Sequence, residues 1–174
     1  IRALRVRGAP AIGIAAAMGL VAVLRSRAEA SGRMSRGDLL PLVHETATAL
    51  ADARPTAVNL RFAMERMRRR ADGASGEGRA LLSALADEAQ AIWDEDRAMC
   101  RAIAEHGQAL MRPGIRVLTH CNTGSLATGG IGTALGIVHR AAERGLDPEV
   151  WVDETRPLWQ GSRLTAWELA RAGI

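Results

Sequence analysis

The sequence predicts an α/β protein in which a helical N-terminal domain, residues 1–112, precedes the start of a Rossmann-like parallel sheet, residues 113–174. Two observations lead to this fold class. Apolar residues recur at helical spacing through the first region, and the period changes at Arg112-Pro113-Gly114. Beyond that point two short apolar segments, Ile115–His120 and Glu149–Asp153, alternate with helical patterns, which is typical of a parallel sheet.

The first domain is expected to contain four helices, at about 11–28, 38–51, 58–71 and 79–111, with a loop at 31–37. Asp38 is the expected N-cap of the second helix, because a short acidic side chain can accept a hydrogen bond from the first turn. The buried face of the fourth helix is predicted from its spacing to comprise Leu82, Leu85, Ala89, Ile92, Met99 and Ile103.

The second domain is expected to follow a β-α-β-α order, with helices at 126–144 and 161–172 and a right-handed crossover. Two parallel strands alone do not make a stable sheet, so further strands are expected beyond Ile174. The chain begins at Ile1 without an initiator methionine, and both ends therefore read as cut.

Composition excludes several classes of protein. All 23 basic residues are arginine. This segment therefore has no lysine that could form a Schiff base, bind pyridoxal phosphate or contact a nucleotide phosphate in a Walker-type loop. The two cysteines lack CxxC spacing, so we expect a reducing cytoplasm and no metal site. Aromatic residues make up only 3% and the tight arginine cluster ends a helix, so no nucleic-acid partner is predicted.

The apolar run Ala9–Leu24 follows three arginines and so mimics a signal peptide. Pro10, Gly13 and Gly19 interrupt it, no small-residue cleavage site follows, and it is short for a membrane span. We therefore expect a buried helix that starts behind Pro10 and no membrane association.

Polar side chains follow both predicted strands, where ligands bind in open parallel sheets. Cys121 is the candidate nucleophile or acid–base thiol there, because it lies between a strand end and a helix N-terminus. The adjacent His120 should point to the opposite face, which disfavours a dyad. Asp153 and Glu154 could be general acids or turn residues, and Arg156 could bind phosphate or pair with Glu154. Cys100 is expected to pack in the long helix.

Glycine-containing segments suggest two kinds of ligand site. Gly130-Ile131-Gly132 with Gly136 invites a dinucleotide-binding interpretation, but these glycines come about ten residues after the strand, inside a predicted helix, so helix packing is favoured. Arg7-Gly8-Ala9-Pro10 combines a guanidinium with a helix N-terminus and could bind an anion. Arg54, at another helix break, is a second candidate phosphate ligand.

Four motifs together resemble those of the 5-methylthioribose-1-phosphate isomerase family, in the family's order and with its gaps. They begin at Arg5 (Arg-Val-Arg-Gly-Ala-Pro-Ala-Ile-Gly), Arg54 (Arg-Pro-Thr-Ala-Val-Asn-Leu), Thr119 (Thr-His-Cys-Asn-Thr-Gly) and Asp153 (Asp-Glu-Thr-Arg-Pro-Leu-Trp-Gln-Gly). The resemblance covers essentially the whole chain. It implies a helical domain followed by a Rossmann-like domain, usually as a homodimer.

The resemblance also implies conversion of an aldose 1-phosphate to a ketose 1-phosphate in methionine salvage, without metal or nucleotide cofactor. Cys121 matches the family's catalytic cysteine. Arg7, Gly8 and Ala9 match its substrate-binding loop, and Arg54 and Gln160 match further substrate contacts. The family's catalytic aspartate lies on the next strand, beyond Ile174, so the segment alone is expected to be inactive. Ile131 stands where the family often has an aromatic residue.

Three alternatives remain open. A ribose-1,5-bisphosphate isomerase belongs to the same superfamily. A regulatory subunit of the initiation-factor exchange type shares the fold, although we would not expect it to keep the His-Cys-Asn-Thr-Gly and Glu-Thr-Arg-Pro motifs intact. A nicotinamide-dependent dehydrogenase is disfavoured by the glycine spacing.

Overall fold

A computed structural model describes residues 1–32 and 35–174, and its contacts divide the chain into two compact units, Ile1–Asp94 and Glu95–Ile174. The first unit is helical and the second contains a two-stranded parallel sheet, which confirms the predicted fold class. The division falls inside the fourth helix, whereas the sequence places the domain limit after residue 112. That domain limit stays a prediction.

The first unit consists of four helices: α1 (Ala9–Ser31), α2 (Arg36–Ala51), α3 (Val58–Gly73) and α4 (Gly78–Gly107). The last of them, α4, continues into the second unit. All four were predicted. The expected loop at 31–37 is shorter, because Ser31 belongs to α1 and Arg36 to α2; its residues 33 and 34 lie outside the described residues.

The predicted N-cap of α2 is wrong. Ser35 is the cap, since its hydroxyl oxygen accepts a hydrogen bond from the backbone N–H of Asp38 at 3.1 Å. Asp38 instead lies in the first turn, where its negative charge favours the positive end of the helix dipole. Serine and aspartate three residues apart both suit a helix start, and the sequence alone led us to the wrong one.

The core of the first unit contains buried residues from all four helices. On α1, the small residues Ala16 and Ala17 are buried, and Leu20 and Leu24 are fully buried. Each fully buried leucine contributes about 1.5–3 kcal/mol relative to an exposed one. Among the described helices, α1 is also long and apolar enough to cross a membrane, although the core helix of a folded domain passes the same test.

Gly13 lies at a close approach of α1 to α3. A Cβ added there would lie 2.7 Å from the carbonyl oxygen of Asn59, on a backbone that cannot rotate away. We expect Gly13→Ala to lower the free energy of unfolding by about 2 kcal/mol. Gly19 is the matched control on the same helix, because a Cβ there meets nothing within 4 Å. Gly19→Ala should raise stability by about 0.5–1 kcal/mol.

Urea unfolding of the two variants measures both effects. A Gly13→Ala protein as stable as the Gly19→Ala protein would contradict the close approach of α1 and α3.

The sheet of the second unit joins β1 (Arg116–His120) and β2 (Glu149–Asp153) in parallel, with Arg116 beside Glu149 and His120 beside Asp153. Helices α5 (Ala134–Glu143) and α6 (Ala166–Ala172) provide the apolar cover, and a π-helical turn, Gly161–Thr165, leads into α6. The core comprises Leu135, Val138 and Leu169 with Val117, Val150 and Val152. Alternate residues point away, so the neighbours Leu118 and Trp151 are exposed.

Two helix predictions in this unit are wrong in detail. The helix expected at 126–144 begins only at Ala134, because the preceding backbone finds other partners: the Asp96 carboxylate accepts the Gly129 N–H at 2.6 Å, and the Thr123 hydroxyl accepts the Leu135 N–H at 3.2 Å. Along α4, Met99 is exposed, and the buried positions in this part of the helix are Cys100 and Ala104.

Candidate active site

Cys121 lies immediately after β1, at the carboxyl end of the sheet, and is half-buried. Its backbone has a φ of +63°, a left-handed conformation that residues with a Cβ rarely adopt. Its carbonyl oxygen accepts a hydrogen bond from the Thr165 hydroxyl. The strand thus ends in a sharp turn, and the thiol belongs to the turn rather than to the strand. Cys100, in contrast, is buried in packing as predicted.

The loop after Cys121 is tightly held. Asn122 donates from its amide to the Thr165 hydroxyl oxygen at 3.2 Å, and the backbone N–H of Ser125 donates to the Glu168 carboxylate at 2.7 Å. Gly124 lies so close to that carboxylate that an added Cβ would overlap it. Side chains from the helical segment 161–172 therefore contact both ends of the loop.

Burial alone would raise the pKa of the Glu168 carboxyl. Interactions with His139, whose Nε2 lies 3.6 Å away, and with Ser125 outweigh burial and lower the pKa to about 2. Glu168 therefore remains ionised at neutral pH and presents a fixed negative charge beneath the loop.

This shift predicts how stability depends on pH. Because the folded-state pKa is depressed, the stabilisation is present above the ordinary glutamate pKa of 4.5 and is lost as the pH falls towards about 2. A shift of this size corresponds to at most about 3 kcal/mol. Urea unfolding midpoints between about pH 6 and pH 2.5 should fall more steeply for the natural chain than for Glu168→Gln. Parallel curves for the two proteins would contradict the shift.

The residues after β2 form a closed loop around Glu154. Its carboxylate accepts hydrogen bonds from the backbone N–H groups of Thr155 at 2.8 Å, Gly161 at 3.1 Å and Ser162 at 3.3 Å. Hydrogen bonds from Ser162 first, and then from Thr155, hold the pKa of the Glu154 carboxyl below its ordinary value. Of the two interpretations of Glu154, the turn residue matches this geometry. Arg156 forms no ion pair with it among the described residues.

His120 and Asp153 join the two strands at their carboxyl ends. His120 Nδ1 lies 3.0 Å from Asp153 Oδ2, and both side chains are exposed. His120 is thus engaged with Asp153, and the described contacts include no hydrogen bond between His120 and Cys121. Asp153 also accepts the backbone N–H of Glu154 at 3.1 Å, as a strand-end turn residue would.

Gln160 begins the π-helical turn at the end of the Glu154 loop and is half-buried. Its Oε1 atom is buried and accepts no hydrogen bond within the described residues. A buried amide oxygen without a partner retains its capacity to accept a hydrogen bond. Gln160 follows β2 as Cys121 follows β1, and the two parallel strands end at the same edge of the sheet.

The remaining predicted site residues lie in the first unit. Gly8 is the N-cap of α1, with Ala9 and Pro10 in its first turn, and Arg7 precedes it half-buried. Arg54 is half-buried in the turn between α2 and α3. Neither arginine pairs with a carboxylate in the part of the chain that the structure describes, so both guanidinium groups retain their donors for an anion.

The glycines of the predicted dinucleotide motif have packing roles. Gly130 and Gly132 lie in the loop before α5 rather than inside a helix, so that part of the prediction is wrong. A Cβ on Gly130 would lie 3.1 Å from the Cys100 Cβ, against α4, and Gly132 lies against the backbone of Gly124. Close packing, the favoured interpretation, matches these contacts.

Thr165 and Glu168 are the site residues that the sequence analysis missed. A threonine and a glutamate in an amphipathic helix look like solvent-facing residues, yet Thr165 is fully buried and Glu168 is only 8% exposed. The available signal was their spacing: residues three apart lie on one face of a helix, and this helix follows a strand end.

Comparison with known proteins gives a consistent family. The sequence pattern of the initiation factor 2 subunit family matches residues 5–174 of this chain. A methylthioribose-1-phosphate isomerase of Gemmatimonas aurantiaca is 53% identical over 174 residues, covering 100% of this chain and 49% of the relative. The chain thus spans about half the length of the curated relatives it matches.

Several solved structures are similar, and they include an initiation-factor subunit and an isomerase. Translation initiation factor eIF-2B, subunit delta, from A. fulgidus has a TM-score of 0.87 and 40% identity, covering 99% of this chain and 49% of that chain. The 5-methylthioribose 1-phosphate isomerase of Pyrococcus horikoshii has a TM-score of 0.83 and 36% identity, covering 99% and 48%. The fold is therefore similar to that of proteins named for two different functions.

Proposed function

Because the chain belongs to the initiation factor 2 subunit family, we propose that the complete protein isomerises 5-methylthioribose 1-phosphate to 5-methylthioribulose 1-phosphate, a step of methionine salvage. The observation that carries this proposal is Cys121. It stands directly after β1 in a left-handed turn, within a chain 53% identical to a curated methylthioribose-1-phosphate isomerase.

The chemistry of the substrate explains what the site must do. Phosphate on C1 prevents an aldose from opening spontaneously to the free aldehyde, so the enzyme must assist ring opening. The ring oxygen takes up a proton as its bond to C1 breaks, one hydrogen moves from C2 to C1, and the C2 hydroxyl loses its proton to become the ketone. C1 is reduced, C2 is oxidised, and no external oxidant is consumed.

Each candidate residue has a role in this scheme. Cys121 takes part in or stabilises the hydrogen transfer, and an aspartate of the complete protein protonates the ring oxygen. Arg7 and Arg54, with the N-terminus of α1 at Gly8 and Ala9, bind the phosphate. Gln160 Oε1, which has no partner among the described residues, accepts a hydrogen bond donated by a sugar hydroxyl. We place the enzyme in the cytoplasm as a homodimer, without metal or nucleotide cofactor.

A second candidate is a regulatory role, favoured by the similarity to the A. fulgidus initiation-factor subunit. Against it stand the intact His-Cys-Asn-Thr-Gly motif beginning at His120 and the Glu-Thr-Arg-Pro motif beginning at Glu154. A ribose-1,5-bisphosphate isomerase differs from our proposal only in the group on C5.

Turnover of the complete protein tests these functions. The purified protein is incubated separately with 5-methylthioribose 1-phosphate and ribose 1,5-bisphosphate, and NMR follows ketose formation. Ketose from the methylthio sugar alone is the expected result. Preferential turnover of ribose 1,5-bisphosphate would make the bisphosphate, and not the methylthio sugar, the substrate. A folded dimer that converts neither sugar would favour the regulatory role.

A further inference from the structure

We propose that Thr165 is a positioning residue for Cys121. The Thr165 hydroxyl fixes the left-handed turn that presents the Cys121 thiol. The inference deepens the proposed function and rests on it for the meaning of the thiol. The contacts that carry it lie within the second unit and involve the strand end, the loop after it and the helical segment 161–172.

The first step is the conformation of Cys121. A φ of +63° is unfavourable for a residue that carries a Cβ, so other contacts must hold the backbone there. The Thr165 hydroxyl donates to the carbonyl oxygen of Cys121 itself. A change in this hydrogen bond would therefore act on the torsion angles that aim the thiol.

The second step is the hydroxyl's own orientation. A threonine hydroxyl has one hydrogen to donate and lone pairs with which to accept. The Asn122 amide donates to Thr165 Oγ1 at 3.2 Å, so the hydrogen of Thr165 remains available for the Cys121 carbonyl. Thr165 is fully buried, and water cannot compete for either bond. The side chain thus joins two consecutive residues of the loop.

The third step is the rigidity of the element that carries Thr165. The residue ends the π-helical turn Gly161–Thr165, and π-helical turns often occur at functional sites. One turn further on, Glu168 holds the Ser125 N–H at the other end of the loop. Leu169 lies in the apolar core beside β1 and β2. The hydroxyl is therefore presented from a packed support rather than from a mobile segment.

Two substitutions separate the hydroxyl from the shape of the side chain. Thr165→Val keeps the branched volume and removes both hydrogen bonds, whereas Thr165→Ser keeps the hydroxyl and removes one methyl group. In the complete protein, we expect Thr165→Val to lower kcat by about 10–100-fold with KM changed less than about threefold, and Thr165→Ser to remain within about threefold of the natural protein.

Alkylation of Cys121 by iodoacetamide, followed by peptide mass spectrometry, gives a readout that does not require turnover. The alkylation rate of Cys121 in Thr165→Val should differ about tenfold, in either direction, from the rate in the natural protein. The rate in Thr165→Ser should return to that of the natural protein. Cys100, which is 1% exposed, is the internal reference because its alkylation reports unfolding.

The outcomes distinguish this inference from the proposed function. If the natural protein converts no sugar but the alkylation rates follow the hydroxyl, the positioning role stands and the proposed function fails. If Thr165→Val alkylates at the natural rate, or if the serine variant is as impaired as the valine variant, the positioning role is wrong.

Discussion

Replacing Cys121 by serine in the complete protein should lower kcat for 5-methylthioribose 1-phosphate by at least about a thousandfold. Serine preserves the size of the side chain and the backbone contacts, and the Thr165 bond goes to the carbonyl group, which the substitution leaves unchanged. What changes is the acidity and nucleophilicity of the functional group. A hydroxyl is a far weaker acid than a thiol, so serine is a much poorer proton donor to the substrate at neutral pH.

Cys100→Ala is the matched control, because it removes the other thiol of the chain from a buried position. We expect this variant to keep kcat within about twofold while losing about 1 kcal/mol of stability through the small cavity left against Gly130. NMR turnover and thermal unfolding, measured on both variants, separate chemistry from folding. Natural activity in Cys121→Ser, with the fold intact, would remove Cys121 from the mechanism.

Gly132→Ala should be the most destabilising single-methyl substitution in the second unit, lowering the free energy of unfolding by about 3–5 kcal/mol. Two costs combine there. Its φ of +95° disfavours any side chain, and a Cβ would lie 2.6 Å from both the Gly124 Cα and the Thr123 carbonyl oxygen. These are backbone atoms in the loop that follows Cys121, so relief of the overlap would displace the loop itself.

Gly145→Ala isolates the first of these costs. Gly145 also has a left-handed backbone, with a φ of +73°, but a Cβ there meets nothing within 4 Å. We expect a loss of about 1 kcal/mol, and urea unfolding of the two variants compares them directly. Equal losses would show that the contact between Gly132 and the loop contributes nothing.

Regular elements of this fold could be predicted because their residues repeat with the period of the structure. Strands β1 and β2 were found within one residue of their observed limits, since short apolar runs bounded by Pro113-Gly114 and Gly145 are distinctive. The start of α1 was predicted within two residues of Ala9, because a proline such as Pro10 is tolerated in the first turn of a helix.

Features that depend on distant partners could not be predicted. The start of α5 is delayed because Thr123 and Asp96 satisfy the preceding loop, and neither contact leaves a local pattern. Cys121 could be picked out as a polar strand-end residue, but its left-handed turn depends on Thr165, which lies 44 residues away along the chain. The buried Glu168 is likewise invisible to hydrophobic periodicity, because periodicity counts apolar residues.

The short helix α6 carries Leu169 into the apolar core, while Glu168 and the preceding Thr165 hold the loop of Cys121. This shared support has an evolutionary consequence. A substitution that repacks the core beneath the sheet also moves the groups that aim the thiol, so selection acts on both at once. Under the proposed function, adaptation to another sugar phosphate is therefore expected to proceed through exposed positions of the Glu154 loop, such as Arg156 and Trp159, whose side chains lie outside the apolar core.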